Sequence, residues 1–370
     1  MINLHWFLPT AGDGREIAGI GPGAVVRKPT LDYLTEVALA AERNGFDAVL
    51  TPTGTACEDA WIATAALVPV TTTLRFLVAF RPGFIAPTLA AQQAASFQRL
   101  SNGRVLLNIV TGGSSKEQQR FGDWLDHDER YERTAEFIRV VRGAWEAARF
   151  DYEGSHYNVV GATVSKSPEP IPGIFFGGSS DPAKRVAAEL ADVWLMWGEP
   201  PDAAGAEVKS VRTLAEDFGR DDLKFGIRLH VITRDRAADA WAETDRLLEA
   251  IPDEVAAAGR QLAIHSESVG QKRMRELNQG SKDDLVIAPN LWAGFGLVRP
   301  GAGTALVGSH EEVAERIAEY HALGFDHFIL SGQPHVEEAY WFGEGVMPRL
   351  REAGHLPPLE TASAPVFSFR

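Results

Sequence analysis

The chain has 370 residues, 45% of them hydrophobic, and its 36 basic and 50 acidic residues give a formal net charge of −14. A chain of this length can bury a large core, either as one large domain or as two ordinary ones. The negative charge disfavours nucleic acid as a partner. No stretch approaches the roughly 20 apolar residues of a membrane-spanning helix, and the amino terminus lacks the order of a signal peptide, so we expect a cytoplasmic protein that binds no membrane.

Eight apolar stretches of β-forming residues recur along the chain, and amphipathic stretches with apolar residues at i, i+3 and i+4 lie between them. This alternation indicates a parallel sheet with helical crossovers, and eight such units predict an α/β fold of the (β/α)8 TIM-barrel type, as one domain over residues 1–370. The predicted strands are Leu4–Pro9, Ala48–Pro52, Leu74–Phe80, Val105–Thr111, Gly173–Gly178, Asp192–Trp197, Phe225–Thr233 and Phe328–Ser331. The predicted helices include Leu31–Arg43, Pro87–Leu100, Arg130–Ala148, Ala183–Ala191, Ala237–Ala250 and Glu311–Leu323.

A doubly wound sheet is the rival fold. The glycine-rich run at 19–23 has the wrong spacing for a dinucleotide-binding loop and follows no strand. Its sequence argues against a resident dinucleotide.

Metal chemistry is limited by the available ligands. Cys57 is the only cysteine, and the ten histidines are scattered without metal-ligand spacing. An intrachain disulfide, a cysteine-based zinc site and an Fe–S cluster are therefore excluded, and we predict no metal.

A long connection follows the seventh strand and its helix. Residues 251–309 are too many for an ordinary loop, so we predict an insertion that acts as a lid. Arg299 lies in its glycine-rich part; a surface arginine is the default interpretation, but flanking glycines would let it swing over a bound anion. The C-terminal tail, residues 354–370, is either disordered or docked through its aromatic residues.

The seventh strand carries an arginine and a histidine in an otherwise buried pattern. Arg228 and His230 are two residues apart and must face the same side of the sheet. A guanidinium with an imidazole beside it suits a carboxylate, a phosphate or a sulfonate. The alternative is a structural ion pair inside the barrel.

Two glycine-serine turns follow predicted strands. Gly177, Gly178, Ser179 and Ser180 lead into a helix, where free amides and hydroxyls can hold the phosphate of a flavin mononucleotide. The simpler interpretation is a helix cap alone. The second turn, 110–115, begins with Val110 and Thr111 and could line the same cofactor.

Two further residues lie near predicted strand ends. Cys57 follows the second strand, although a lone buried thiol is more often a core residue than a nucleophile. Trp197 ends the sixth strand, where an aromatic ring is either core or the wall of a ring-shaped cofactor site.

Nearly the whole chain resembles the two-component, reduced-flavin-dependent alkanesulfonate monooxygenases of the bacterial luciferase-like superfamily. The matching motifs are Trp6 to Thr10, Cys57 to Trp61, Leu100 to Arg104, Leu125 to His127 with Glu129 to Tyr131, Phe176 to Asp181, Trp197 to Pro201, Phe225 to Ile232, Pro289 to Gly294 with Arg299, Thr304 to Gly308, and Pro334-His335 with Glu337 to Tyr340. The resemblance implies that reduced FMN (FMNH2) and O2 are used to cleave a carbon–sulfur bond, giving sulfite and an aldehyde. It also implies a separate NAD(P)H-dependent flavin reductase as partner, a small organosulfonate as substrate, and a homo-oligomer, dimer or tetramer.

The resemblance further implies roles for individual residues. The catalytic set would be Arg228, His230, Cys57 and Arg299. Substrate contacts would come from the same arginines and histidine with Trp197, Gln333 and Phe7. Cofactor contacts would come from Ala79, Asn108, Thr111, Tyr131, Gly177, Gly178, Ser179 and Ser180.

The sequence departs from the family pattern where the substrate would bind. Gln333 replaces a tyrosine, Thr55-Ala56 replaces an Arg-Ser pair, and Pro300 replaces a glycine beside Arg299. A glutamine can still accept and donate hydrogen bonds but has no phenol proton. We hypothesise a pocket for a more polar or differently sized organosulfur compound, such as a hydroxylated or sugar sulfonate.

Other functions remain open from the sequence. One is a different luciferase-like oxygenase acting on a sulfone, a heterocycle or an amine-carboxylate, or a deazaflavin-dependent dehydrogenase on the same barrel. Another is a flavin-binding protein without activity.

Overall fold

Eight parallel strands close into a barrel in the computed structural model, which describes residues 1–18, 26–264 and 267–358, with side chains throughout except at 260–264. Each strand pairs with the next one along the chain, including β6 with β7, and the pairing of β8 with β1 closes the ring. The predicted TIM barrel is confirmed, and each predicted strand matches within two residues. The strands are β1 (Asn3–Phe7), β2 (Ala48–Thr51), β3 (Arg75–Phe80), β4 (Val105–Ile109), β5 (Ile174–Gly177), β6 (Val193–Trp197), β7 (Lys224–Arg234) and β8 (His327–Ser331).

Helices pack around the outside of the barrel. The helix predicted from Arg130 begins earlier, at His127, because Asp126 and Glu129 form a reciprocal capping box at its amino terminus. The α-helices are Leu31–Asn44, Ala60–Leu67, Pro87–Leu100, Ser115–Arg120, His127–Glu146, Asp181–Leu190, Pro201–Asp217, Ala237–Glu249, Asp253–Ile264, Val269–Asn278, His310–Ala322 and His335–Glu352. Short 3-10 turns lie at Val68–Val70, Pro82–Phe84 and Gly294–Leu297, and small hairpins pair Asp13–Gly14 with Val26–Arg27 and Phe150–Glu153 with Asn158–Ala162.

The barrel interior is filled by inward side chains from alternate strand positions. An inner cluster contains Leu50, Leu77, Phe175, Leu195 and Ile329. Below it, His5 Nε2 lies 2.9 Å from His327 Nδ1, and burial lowers the pKa of both imidazoles, that of His327 to about 3. The lower half of the barrel is therefore a packed, uncharged plug, and ligand chemistry is left to the carboxyl ends of the strands.

The long connection between β7 and β8 is tied to the strand that carries Arg228 and His230. The lower half of β7 pairs with β8, and its upper half, from His230 to Arg234, pairs with a strand from the connection, Ala305–Ser309. Two more short strands, Val286–Ala288 and Leu291–Trp292, extend this edge. The connection is therefore hydrogen-bonded directly to the strand that carries the two residues.

Three predictions fall at the limits of what the structure describes. The glycine run at 19–23 and residues 359–370 of the predicted tail lie outside the described residues, as do residues 265 and 266 of the predicted lid. Within the described ranges, no helix has the length and apolarity needed to cross a membrane. The same ranges contain no group of three or more His, Cys, Asp or Glu side chains that could hold a metal.

Candidate active site

The predicted site residues converge on the interior of the barrel at the carboxyl ends of the strands. Side chains alternate along each strand, so residues two positions beyond the inner cluster also point inward. Two positions beyond members of that cluster lie Ala79, Asn108, Gly177 and Trp197, which places these four predicted residues on the inner wall above the plug. Phe7 packs against the same cluster, and the Arg228 guanidinium lies over the Phe7 ring.

Arg228 is anchored by neutral groups. Its Nη2 donates to Ser331 Oγ at 2.8 Å, and Nη1 donates to the carbonyl oxygen of Leu229 at 2.5 Å. The guanidinium lies 4.8 Å from the centre of the Phe7 ring. Burial and the nearby charge of Arg299 lower the pKa of Arg228 to about 9. The side chain is held in one orientation, and no carboxylate among the residues that the structure describes pairs with its charge.

His230 is neutral and its tautomer follows from its contacts. Arg228 donates to Ser331 Oγ, whose hydroxyl proton is then free to donate to His230 Nδ1 at 2.7 Å, so Nδ1 is the acceptor. The proton lies on Nε2, which donates to the carbonyl oxygen of Ala302 at 3.1 Å. Burial, with the charges of Arg299 and Arg228, holds the pKa of His230 well below its usual range. Both ring nitrogens are engaged, so His230 orients its neighbours in this conformation.

Arg299, in the long connection, lies beside this pair. Its Nη2 is 3.4 Å from both ring nitrogens of His230. Equal distances indicate contact with the face of the imidazole. The ring of Phe295 stacks on His230 with centroids 3.9 Å apart, and the Arg299 guanidinium is 5.0 Å from the Phe295 centroid. Burial lowers the pKa of Arg299 to about 10, and Asp13 partly offsets this.

Two guanidinium groups therefore lie beside His230 and its partner Ser331 without an ion-pair partner in the described chain. Among the described residues, neither Arg228 nor Arg299 forms a salt bridge with a carboxylate. On the same strand, by contrast, Arg234 makes a bidentate pair with Glu338, with N–O distances of 2.6 and 3.0 Å. An unpaired cation in a largely dry site is costly. The arrangement favours an anionic ligand over a structural ion pair.

An aspartate–histidine pair at the mouth of β8 was not predicted as part of the site. His335 Nδ1 lies 2.9 Å from Asp13 Oδ1, and the backbone N–H of His335 donates to Asp13 Oδ2 at 2.7 Å. Burial alone would raise the pKa of Asp13, but the charge and hydrogen bonds of His335, with the hydroxyl of Tyr33, lower it to about 2. The His335 ring is 5.8 Å from that of Phe7, which contacts Arg228. The sequence signal that could have indicated this pair is the position of His335 shortly after a barrel strand.

The turn after β5 has the features of a phosphate cradle. A Cβ on Gly178 would lie 2.6 Å from Ala183 Cβ and 3.2 Å from the Tyr131 hydroxyl, so only glycine fits. Ser180 Oγ is buried at the amino terminus of helix Asp181–Leu190, near the Tyr131 hydroxyl but without a hydrogen bond of good geometry in the described chain. An unsatisfied hydroxyl beside free helix amides fits a phosphate.

The remaining predicted cofactor residues lie nearby. Asn108 makes no side-chain hydrogen bond to any described residue, and Thr111 is fixed by its carbonyl oxygen, which accepts from Gln118 Nε2 at 2.6 Å. Gly270, in the long connection, approaches both β5 and β6: a Cβ there would lie 3.1 Å from Trp197 and 3.7 Å from Ser179 Oγ.

The long connection covers this side of the barrel mouth through polar contacts. Glu267 Oε2 accepts from Ser115 Oγ at 2.7 Å and from Arg130 Nη2 at 3.2 Å. Arg130 is fully buried, whereas the Glu267 side chain is 44% exposed. Farther along, Arg273 contacts Glu199 and Glu207. These contacts hold the 267–273 segment against the loops that follow β4 and β6.

Two further predicted site residues, Cys57 and Gln333, lie in the loops that follow β2 and β8. Burial raises the pKa of the Cys57 thiol; Thr10 and Arg81 oppose this and Glu117 adds to it, so the thiol stays protonated at neutral pH. Gln333 Nε2 donates to the Glu16 carbonyl oxygen at 2.9 Å, and its Oε1 is buried without a partner among the described residues. Gln333 therefore offers a free acceptor.

Comparison with solved structures agrees with this fold. A riboflavin lyase (RcaE) bound to modified FMN and riboflavin aligns with TM-score 0.78 and 23% identity over 96% of this chain and 92% of its own. The EDTA monooxygenase EmoA from Chelativorans sp. BNC1 aligns with TM-score 0.77 and 20% identity, covering 96% and 95%. DmoA from Hyphomicrobium sulfonivorans aligns with TM-score 0.76 and 22% identity, covering 96% and 88%. At these identities the likeness shows the fold alone.

Family membership comes from the sequence as a whole. The model of the luciferase-like monooxygenase family matches residues 2–327. That range includes the first seven barrel strands and the first residue of β8, with the turn at 177–180, Arg228, His230 and Arg299. The chain belongs to the luciferase-like monooxygenase family.

Proposed function

We propose that this protein is a reduced-flavin-dependent monooxygenase that cleaves the carbon–sulfur bond of an organosulfonate. The observation that carries the proposal is the pair of guanidinium groups, Arg228 and Arg299, that lie beside His230 and Ser331 without a carboxylate partner in the described chain. A sulfonate supplies the missing negative charge and presents oxygens to both arginines.

Binding would use the groups as they already stand. Arg228 is oriented by Ser331 and by the Phe7 ring, so its remaining N–H groups are available to one sulfonate oxygen. Arg299, on the long connection, would contact a second oxygen and tie closure of that segment to the presence of the anion. Gln333 Oε1, which has no partner, would accept a hydrogen bond from a hydroxyl group on the substrate chain.

The residues present fit reduced FMN as the cofactor. Gly177, Gly178, Ser179 and Ser180 with Tyr131 would hold the phosphate, and Ala79, Asn108 and Thr111 would line the ring system. Bound FMNH2 supplies the two electrons that allow O2 to be used. For a primary sulfonate the balanced reaction is RCH2SO3⁻ + FMNH2 + O2 → RCHO + HSO3⁻ + FMN + H2O. Because the protein has no dinucleotide fingerprint, a separate NAD(P)H-dependent flavin reductase would regenerate FMNH2.

Proton transfer needs a group that is not already satisfied. Both ring nitrogens of His230 are engaged, with Ser331 and Ala302. His230 would therefore orient Ser331 and, through it, Arg228. Burial of the mouth under the long connection would keep water away from the reacting oxygen. Cys57, as a neutral thiol, would offer a weak hydrogen bond without acting as a nucleophile.

The test is sulfite release from purified protein with FMN, NADH, a generic flavin reductase and a panel of alkyl, hydroxyalkyl, aryl and sugar sulfonates. We expect substrate-dependent sulfite, with hydroxylated sulfonates preferred over plain alkanesulfonates if Gln333 contacts the chain. Gln333→Leu, similar in size but without the acceptor, should remove that preference and leave plain alkanesulfonates unaffected. Absence of sulfite from every sulfonate, despite measurable FMNH2 binding, would overturn the proposal.

A carboxylate-bearing substrate is the second candidate. Arginine pairs bind carboxylates as well as sulfonates, and one structural neighbour is an EDTA monooxygenase. An aminopolycarboxylate and a neutral sulfone therefore belong in the same panel. Turnover of the carboxylate alone would change the proposed substrate but support the proposal that Arg228 and Arg299 bind an anion. Turnover of the sulfone alone would contradict that proposal, because a neutral substrate does not pair with two cations.

A further inference from the structure

The loop that carries Cys57 is a tight turn held at both ends. The backbone N–H of Cys57 donates to the Gly54 carbonyl oxygen at 3.1 Å, which closes the turn. The next residue, Glu58, donates its backbone N–H to the Thr10 carbonyl oxygen at 3.0 Å, which ties the turn to the segment after β1. These contacts leave the tip of the turn, at Thr55, to be held from elsewhere.

A carboxylate from another loop holds that tip. Glu117, near the start of the short helix Ser115–Arg120, accepts from the Thr55 backbone N–H through Oε1 at 3.0 Å. A Cβ on Gly54 would lie 3.3 Å from this same oxygen and 3.9 Å from the sulfur of Cys57. The glycine therefore lets the carboxylate and the thiol pack on either side of one backbone position.

A buried arginine fixes the carboxylate in turn. Arg81, directly after β3, donates from Nη2 to Glu117 Oε2 at 2.7 Å, and its side chain is only 6% exposed. The rings of Phe84 and Phe121 flank the guanidinium at 5.6 and 5.9 Å. The Nε and Nη1 atoms of Arg81 are buried without hydrogen-bond partners among the described residues. Glu117 is thus the carboxylate that compensates this charge.

We infer that Glu117 is a positioning residue for Cys57, and that Arg81 holds Glu117 in place. The carboxylate bridges three loops, those after β2, β3 and β4, and so fixes the thiol relative to the loop at 111–115 that the sequence associates with the cofactor. The pair also sets the electrostatic surroundings of the thiol, because Glu117 disfavours the thiolate and Arg81 favours it.

The consequence for catalysis rests on the proposed function, since only that function places Cys57 in the reaction. The structural part does not, because it can be measured on the thiol itself without flavin or sulfonate. Cys57 is the only cysteine in the chain, so alkylation measured at the thiol reports on this loop alone. Failure of one claim is therefore distinguishable from failure of the other.

The experiment is the rate of Cys57 alkylation by iodoacetamide against pH for the full-length protein. The midpoint of the profile reports the ionisation of the thiol and the plateau at high pH reports its accessibility. Glu117→Gln keeps an acceptor for Thr55 but loses the charge, so the midpoint should fall while the plateau stays. Glu117→Ala loses both, so the plateau should also rise, by about threefold or more.

Arg81→Met separates the electrostatic effect from general loosening. Loss of the cation should move the midpoint upward, opposite to Glu117→Gln, whereas an unfolded loop would move every midpoint toward that of a free cysteine, at about pH 8.5. Glu36→Gln, at an exposed carboxylate in helix Leu31–Asn44, is the matched control and should change neither value. An unchanged profile in Glu117→Ala, or a lowered midpoint with an unchanged plateau in Arg81→Met, would overturn the inference.

Discussion

Replacing Arg228 by methionine should cost the protein almost no stability, although the residue is a charged side chain inside the barrel. Placing this guanidinium in the folded protein lowers its pKa from 12.5 to about 9, which corresponds to about 5 kcal/mol at 1.36 kcal/mol per pKa unit. Solvent reaches part of the side chain, so we take about 2 kcal/mol as the cost. Because the folded pKa is the lower one, this cost applies fully below about pH 9, including neutral pH.

The substitution also removes favourable contacts of similar size. Arg228 donates to Ser331 and to Leu229, and each hydrogen bond from a charged donor contributes about 1.5 kcal/mol. The two effects offset each other. With an unfolding entropy of about 2.1 cal/mol/K per residue over 370 residues, 1 kcal/mol moves Tm by about 1 °C. We expect the Tm of Arg228→Met to lie within about 2 °C of the native protein.

Arg234→Met is the matched control on the same strand. Arg234 is paired with Glu338, so its loss leaves a buried carboxylate without a partner, at about 3–5 kcal/mol. Its Tm should fall by about 4–6 °C. Differential scanning calorimetry of both variants decides the matter. A drop in Arg228→Met as large as that in Arg234→Met would refute the view that Arg228 is an unpaired cation awaiting an anion.

Three further predictions follow from other contacts. Ser180→Ala should weaken FMN binding by about tenfold and leave riboflavin binding unchanged, because the hydroxyl would bond only the phosphate; flavin fluorescence titrations measure both, and an equal loss for the two flavins would argue against the cradle. Glu267→Gln should make the 251–309 region more sensitive to limited proteolysis by weakening its contact with Arg130, with Glu276→Gln as control, and equal digestion of the two variants would contradict this. Asp13 has a folded pKa of about 2, below its ordinary value of 3.8, so its contribution of about 2 kcal/mol to the free energy of unfolding should be present above about pH 4 and be lost as the pH falls toward 2. In urea unfolding, the difference in stability between the native protein and Asp13→Asn should therefore shrink from pH 6 to pH 3. A constant difference would refute this prediction.

The barrel could be predicted from the sequence because its signals are local. Strand side chains alternate with a period of two, so the spacing of Arg228 and His230 already required both to face one side of the sheet, which in the structure is the barrel interior. The eight apolar stretches are likewise a short-range pattern. A capping signal that was present but not used, Asp126 with Glu129, would have moved the start of one helix to His127.

The contacts between distant parts of the chain could not be predicted in this way. Asp13 and His335 are 322 positions apart, and nothing in the spacing of either residue indicates the other. The same holds for Ser331, which connects Arg228 to His230, and for Glu117, which reaches Thr55 across 62 positions. Such pairs depend on the closure of the barrel and on loop conformation, which local periodicity does not encode.

The central claim is that Arg228 and Arg299 together bind a sulfonate whose carbon–sulfur bond is then cleaved. The most direct measurement is sulfite release from one good sulfonate substrate by the native protein, Arg228→Met, Arg299→Met and the Arg234→Met control, each with its FMNH2 affinity. We predict that both site variants lose sulfite release by at least about a hundredfold while binding FMNH2 normally, and that Arg234→Met retains activity below its Tm. Sulfite release that survives in either site variant, or falls equally in the control, would contradict the account.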